Sequence, residues 1–133
     1  MEYILEGKDG KLTIGEIVYY EDEADYPNNT SLYATVTSGL FTGAAHIEIS
    51  MTDFAEFARN AVAIASSAQG RTYVKEAYGD SCIYIEPLKE GDFGISGELF
   101  EKSCAMAVRF QFKATQAQLK AFASPLCSDY GQN

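Results

Sequence analysis

Apolar and polar residues alternate along most of this chain, and the period lengthens to that of a helix in two places. Between Gly39 and Ser50, Phe41, Gly43, Ala45, Ile47 and Ile49 fall on one face, and Thr42, Ala44, His46 and Glu48 on the other. A period of two marks a half-buried strand. Ser50 then stands as an N-cap with Asp53 three residues on, the spacing of a capping box, and Ile49 and Phe54 are placed for a hydrophobic staple. Phe54, Phe57, Ala58, Ala61, Val62 and Ala65 follow on one stripe. The pattern predicts a helix over residues 51–68, with Gly70 as its C′ residue.

Strands are predicted on both sides of that helix. Residues 2–6 form a short one, turned by Gly7-Lys8-Asp9-Gly10. Leu12 and Ile14 share a face, but Ile17 and Tyr19 have the opposite parity, so the phase slips near Gly15-Glu16. A β-bulge there reconciles one long strand. Ser31 to Ser38 alternates again, and Gly39 turns it into the strand through Phe41. After the helix, Arg71–Tyr78, Cys82–Glu86, Phe93–Phe100 and the run through Met106, Val108, Phe110 and Phe112 read as further strands separated by short turns. Thr115, with Gln118 in the capping-box position, opens a second helix predicted over residues 115–124, stopped by Pro125, with a frayed tail from Ser128.

The fold class that follows is α+β: an antiparallel sheet or half-barrel of about eight strands with two helices, in the order ββββ-α-ββββ-α. A length of 133 residues makes residues 1–133 a single domain. The expected core is Phe41, Ile47, Ile49, Phe54, Phe57, Ala61, Ile95, Leu99, Val108, Phe110, Phe112, Leu119 and Phe122.

Composition narrows the function classes. No apolar run approaches the ~20 residues of a membrane helix, and the acidic start Met1-Glu2-Tyr3-Ile4-Leu5-Glu6 does not read as a signal peptide. A cytoplasmic protein with free Cys82, Cys104 and Cys127 is expected, because the thiols are scattered and form no C-x-x-C motif. The net charge is −9, and residues 12–58 supply nearly all of it, with eight acids and no Lys or Arg. Such a field is expected to repel nucleic acid and anionic membranes and to attract a basic partner.

Catalytic chemistry finds little support. His46 is the one histidine and lies on the polar face of its strand, with no G-x-S-x-G or C-x-x-C nucleophile signature anywhere. Asp92-Phe93-Gly94 matches a kinase triplet without the other kinase motifs. No metal site or cofactor motif stands out: the acidic run has Ala24 in a ligand slot of a calcium loop and no following Gly. The stretch that remains is Tyr19-Tyr20-Glu21-Asp22-Glu23-Ala24-Asp25-Tyr26. Four acids within five residues make either a solvated loop or, with Tyr19, Tyr20 and Tyr26 supplying apolar area and hydroxyls, a contact surface for a partner.

Three groups of residues carry a resemblance to a family. They are Glu6-Gly7 with Asp9-Gly10; Gly39-Leu40-Phe41-Thr42-Gly43 leading into the helix with Asp53-Phe54 and Phe57; and Ile95-Ser96-Gly97-Glu98-Leu99 followed by the Phe110/Phe112 strand and the Thr115-Gln116 cap. With these the chain resembles the WapI-type bacterial immunity proteins, although Tyr33 stands where that pattern often has Trp. The resemblance implies a non-enzymatic protein that neutralises a bacterial toxin. The basic toxin would then meet Tyr19, Tyr20, Glu21, Asp22, Glu23, Asp25 and Tyr26, with no nucleic acid or membrane partner. The alternative is a small-ligand or enzyme domain with a pocket between the first helix and the sheet.

Overall fold

The computed structural model describes residues 1–132. Strands β1 (Glu2–Glu6), β2 (Lys11–Tyr19), β3 (Thr30–Ser38) and β4 (Phe41–Ile49) form one antiparallel sheet in the order β1-β2-β3-β4, called sheet A. Helix α1 (Met51–Ser67) follows. Strands β5 (Thr72–Lys75), β6 (Cys82–Pro87), β7 (Phe93–Glu101) and β8 (Met106–Ala114) form sheet B in the order β5-β6-β7-β8, and α2 (Gln116–Tyr130) closes the chain. The expected order ββββ-α-ββββ-α is observed, with the eight strands divided into two sheets of the same topology.

The local signals act as anticipated. The Ser50 hydroxyl accepts from the Asp53 N–H at 3.1 Å, and Thr115 and Gln118 form a reciprocal capping box. The register of β2 on β3 shifts between Gly15 and Val18, and Glu16 takes a φ of 51°, so the slip in alternation is a bulge. Two helix ends differ. Ala68 is the left-handed cap of α1, with its N–H bonded to Ile64 O, and Gly70 takes a second positive φ, of 90°, two residues later. Pro125 does not stop α2, which continues through it to Tyr130. A proline forfeits one helical hydrogen bond, but the turn beyond it is held from outside. Leu126 is buried, and the Tyr130 ring packs edge-on against Tyr3 and Phe54 at 5.9 and 5.4 Å between centroids.

The core lies between the inner faces of the sheets and under the helices. Leu12, Ile14, Leu32, Ala34 and Ile47 come from sheet A, Ile83, Ile85, Ile95 and Phe112 from sheet B, and Phe54, Phe57, Leu119 and Phe122 from the helices. The sheets approach at the β4–β8 corner. A side chain at Gly43 would overlap Val108, so this position admits only hydrogen. Sheet B also ties down the outer edge of β4. The Glu48 N–H donates to the buried Glu76 carboxylate at 3.3 Å, and the Ala77 N–H donates to Glu48 O at 2.8 Å. Glu101, held below the usual carboxylate range by the N–H groups of Ser103 and His46, caps the same edge. A covered edge does not recruit foreign strands.

One expected core residue is outside. Phe41 has the inward parity of β4 but is 78% exposed, because it lies at the hairpin tip beyond the end of the opposing sheet. Val108 is only partly buried, for the same reason of position at the corner. Phe41→Ala is therefore expected to change stability by less than about 0.5 kcal/mol, as surface substitutions do. A thermal melt within one or two degrees of the wild type checks this.

Candidate functional site

The outer face of sheet B is built by parity alone. In β5 the inward residues are Thr72 and Val74, which leaves Tyr73 and Lys75 outside. The register then sets the outward residues in rows across the sheet. Tyr73 lies opposite Tyr84, Tyr84 opposite Ser96, and Ser96 opposite Gln111. In the neighbouring row Lys75 lies opposite Cys82, Cys82 opposite Glu98, and Glu98 opposite Arg109. Lys113 lies opposite Gly94 at the far end of β8, and Arg71 precedes β5.

Two rings and four cations therefore share one surface. The Tyr73 and Tyr84 rings are 6.0 Å apart between centroids, and Tyr73 is 53% exposed. The Arg71 guanidinium lies 4.2 Å from the centre of the Tyr84 ring, and Lys75 Nζ lies 5.4 Å from that of Tyr73. Such cation–π contacts hold a charge beside a ring without burying it. On the opposite margin, Arg109 pairs with Glu98 at 3.4 Å and Lys113 with Glu90 at 3.3 Å. Both pairs are exposed, and pairs of that kind are worth ~0–1 kcal/mol, so an incoming anion displaces them at small cost. Glu86 and Glu98 are the acids within the face, against Arg71, Lys75, Arg109 and Lys113. A shallow depression of about 540 Å³ lies over its centre, between Cys82, Tyr84, Ser96, Glu98, Arg109 and Gln111.

The residues singled out from the sequence lie elsewhere. Tyr19, Tyr20, Glu21, Asp22, Glu23, Asp25 and Tyr26 are brought together on the β2–β3 connection, where Glu21–Glu23 form a turn of 3-10 helix and all seven side chains are exposed. Buried Asn29 organises this loop: its amide donates to Ala24 O at 2.9 Å, and its oxygen accepts from the Met51 N–H at 2.9 Å. The pocket anticipated between the first helix and the sheet exists as a cleft of about 210 Å³ bordered by Asp53, Glu56 and Asn60 of α1 and by Arg71, Tyr73 and Lys75, so it adjoins the β5 margin of this face. That is below the ~300 Å³ at which small-molecule sites begin. His46 packs its ring edge-on against Tyr33 on the outer face of sheet A, 4.6 Å between centroids. Cys82, Cys104 and Cys127 are free. Among the described residues, no helix is long and apolar enough to cross a membrane.

Sequence reading missed Arg71, Tyr73, Lys75, Tyr84, Arg109 and Lys113 as a group. The signal was present in Tyr73-Val74-Lys75 and in Arg109-Phe110-Gln111-Phe112-Lys113, whose polar positions share a face. What joins them is the pairing of β5 with β6 and of β7 with β8, which periodicity does not state.

No protein-family model and no curated protein matches the chain. Similar solved structures include that of the plant transcriptional regulator PBF-2, at 12% identity and a TM-score of 0.46, covering 95% of this chain and 78% of that one. WHY3 from Arabidopsis thaliana is similar at 13% identity and a TM-score of 0.47, covering 95% of this chain and 83% of its own. WHY1 from Arabidopsis thaliana is similar at 12% identity and a TM-score of 0.46, with 95% and 86% covered. None of their residues is carried over to this chain. The toxin-immunity reading, its basic protein partner and the exclusion of nucleic acid are corrected by these findings, since the similar structures include a plant transcriptional regulator. The physical reason is that a net charge of −9 is a property of the whole chain, whereas the field at a surface is set by charges within a Debye length of ~8 Å. The excess acid belongs to residues 12–58, of which Asp53 and Glu56 border the β5 margin, whereas the outer face of sheet B belongs to residues 71–113.

Proposed function

We propose that this protein binds single-stranded nucleic acid on the outer face of sheet B and performs no chemistry on it. The observation that carries the reading is the pair Tyr73 and Tyr84, side by side across β5 and β6, with Arg71 and Lys75 beside the rings and Arg109 and Lys113 on the far margin. Every base has a π-face, so the exposed Tyr73 ring and the half-buried Tyr84 ring take successive bases without regard to sequence, at ~1–3 kcal/mol per base. The cations on both margins meet the phosphates that run beside the stacked bases. The Arg71 guanidinium, 4.2 Å over the Tyr84 ring, can make way for a base or stack on one itself. A duplex hides its base faces and offers only phosphates, so it forgoes the stacking on Tyr73 and Tyr84.

The test is fluorescence anisotropy with a labelled dT oligomer of about 16 nucleotides, near the upper site size of a single-strand-binding module. Binding is expected to weaken with salt, with a slope of log K on log salt no steeper than about −3, since four cations at ~0.7 each set the limit. The matching duplex is expected to bind at least tenfold more weakly. Equal binding of duplex and single strand, or no binding of either at low salt, contradicts the reading.

A further inference from the structure

The face just described does not end at β8. A second groove, of about 490 Å³, adjoins it and is lined by Val36, Ser38, Phe41, Ala107, Val108 and residues 109–112. Arg109, Phe110 and Gln111 line both depressions, so the two are one surface folded over the edge of sheet B. Phe41 stands at the mouth of the second groove, 78% exposed, and its neighbour Leu40 is fully exposed. These are unusual places for large apolar side chains on a chain of net charge −9. No acid among the described residues lines the groove and Arg109 stands on its lip, a local charge that suits a polyanion.

We propose that a single strand bound across Tyr73 and Tyr84 continues over the β8 edge past Gln111 and Arg109, and that Phe41 stacks on one of its bases in the groove beyond. This extension rests on the nucleic-acid reading of sheet B. The row Tyr73, Tyr84, Ser96, Gln111 runs perpendicular to the strands and so points from β5 toward the β8 edge. Three strand spacings make that row about 14 Å long. At ~3.4 Å per stacked nucleotide, about four nucleotides cover it, and only a longer strand reaches Phe41. The ring at Phe41 has little to gain from the protein's own core, being largely exposed, and it lines the groove.

The experiment compares dT oligomers of about 4 and about 16 nucleotides on wild type, Phe41→Ala, Phe41→Trp and Tyr84→Ala. Phe41→Ala is expected to weaken the longer oligomer roughly tenfold and to leave the shorter one unchanged, while Tyr84→Ala weakens both. The chain has no tryptophan, so Phe41→Trp introduces a lone indole. Its fluorescence is expected to be quenched by the longer oligomer and not by the shorter. Phe41→Ala binding the longer oligomer like wild type, with Tyr84→Ala impaired, overturns the extension and leaves the sheet B reading standing. A Phe41→Ala variant that loses self-association in sedimentation, with unchanged oligomer affinity, assigns the groove to a second copy and also overturns it. A wild type that binds neither oligomer overturns the reading of the face itself.

Discussion

Phe54→Ala is expected to destabilise the fold by about 3–5 kcal/mol, the range for deleting a fully buried Phe. Phe54 is fully buried, packs its ring against Phe57 at 6.3 Å and receives the edge of Tyr130 at 5.4 Å. Tyr130 in turn meets Tyr3 of β1, whose hydroxyl donates to Asp129. Burial first and that hydrogen bond second push the Tyr3 hydroxyl well above the usual tyrosine range, which keeps it a donor at all ordinary pH. Removing the Phe54 ring therefore opens a cavity where α1, α2 and sheet A meet, and it also takes away what holds the turn of α2 after Pro125. Urea unfolding is expected to show the midpoint falling by about 2 M at an unchanged slope, given ~1–3 kcal/mol per molar for a domain of this size. A loss below about 1 kcal/mol would mean that the three elements do not depend on this cluster.

The other large effect is on binding. Replacing both rings, Tyr73→Ala with Tyr84→Ala, is expected to weaken single-strand affinity by about a hundredfold or more, since each stacked base is worth ~1–3 kcal/mol. The fold is expected to tolerate the change, because the two side chains point away from the core and Tyr73 is 53% exposed. Neutralising Arg71 and Lys75 to Gln has a different signature. It weakens binding and also flattens the salt slope by about 1.4, at ~0.7 per lost phosphate contact. The double tyrosine variant leaves that slope unchanged. Anisotropy titrations at several salt concentrations separate the two. A tyrosine variant that binds like wild type removes the stacking surface from the account.

The elements were legible in the sequence wherever one physical rule acts alone. Ser50 with Asp53 and Thr115 with Gln118 start both helices, and the opposed parities of Ile14 and Ile17 gave away the bulge at Glu16. Rules in competition were less legible. Pro125 breaks an isolated helix, but the burial of Leu126 and the ring contacts of Tyr130 outweigh the lost hydrogen bond. Phe41 has core parity, yet parity does not say where the opposing layer ends. The candidate site was the least legible part. Attention to charge led to Glu21, Asp22, Glu23 and Asp25, contiguous in the chain, whereas Tyr73 and Tyr84 meet only once β5 pairs with β6.

The most direct test follows the backbone amide resonances of isotope-labelled protein during titration with a dT oligomer of about 16 nucleotides. Shifts are expected to concentrate on Tyr84, Ser96, Arg109 and Gln111 together with Tyr73 and Lys75, with little change in residues 19–26 or on the α1 side of the neighbouring cleft, at Asp53, Glu56 and Asn60. Shifts centred on residues 19–26 or on Asp53, Glu56 and Asn60 with Tyr84, Ser96 and Gln111 unmoved, or none at all at low salt, would contradict this account.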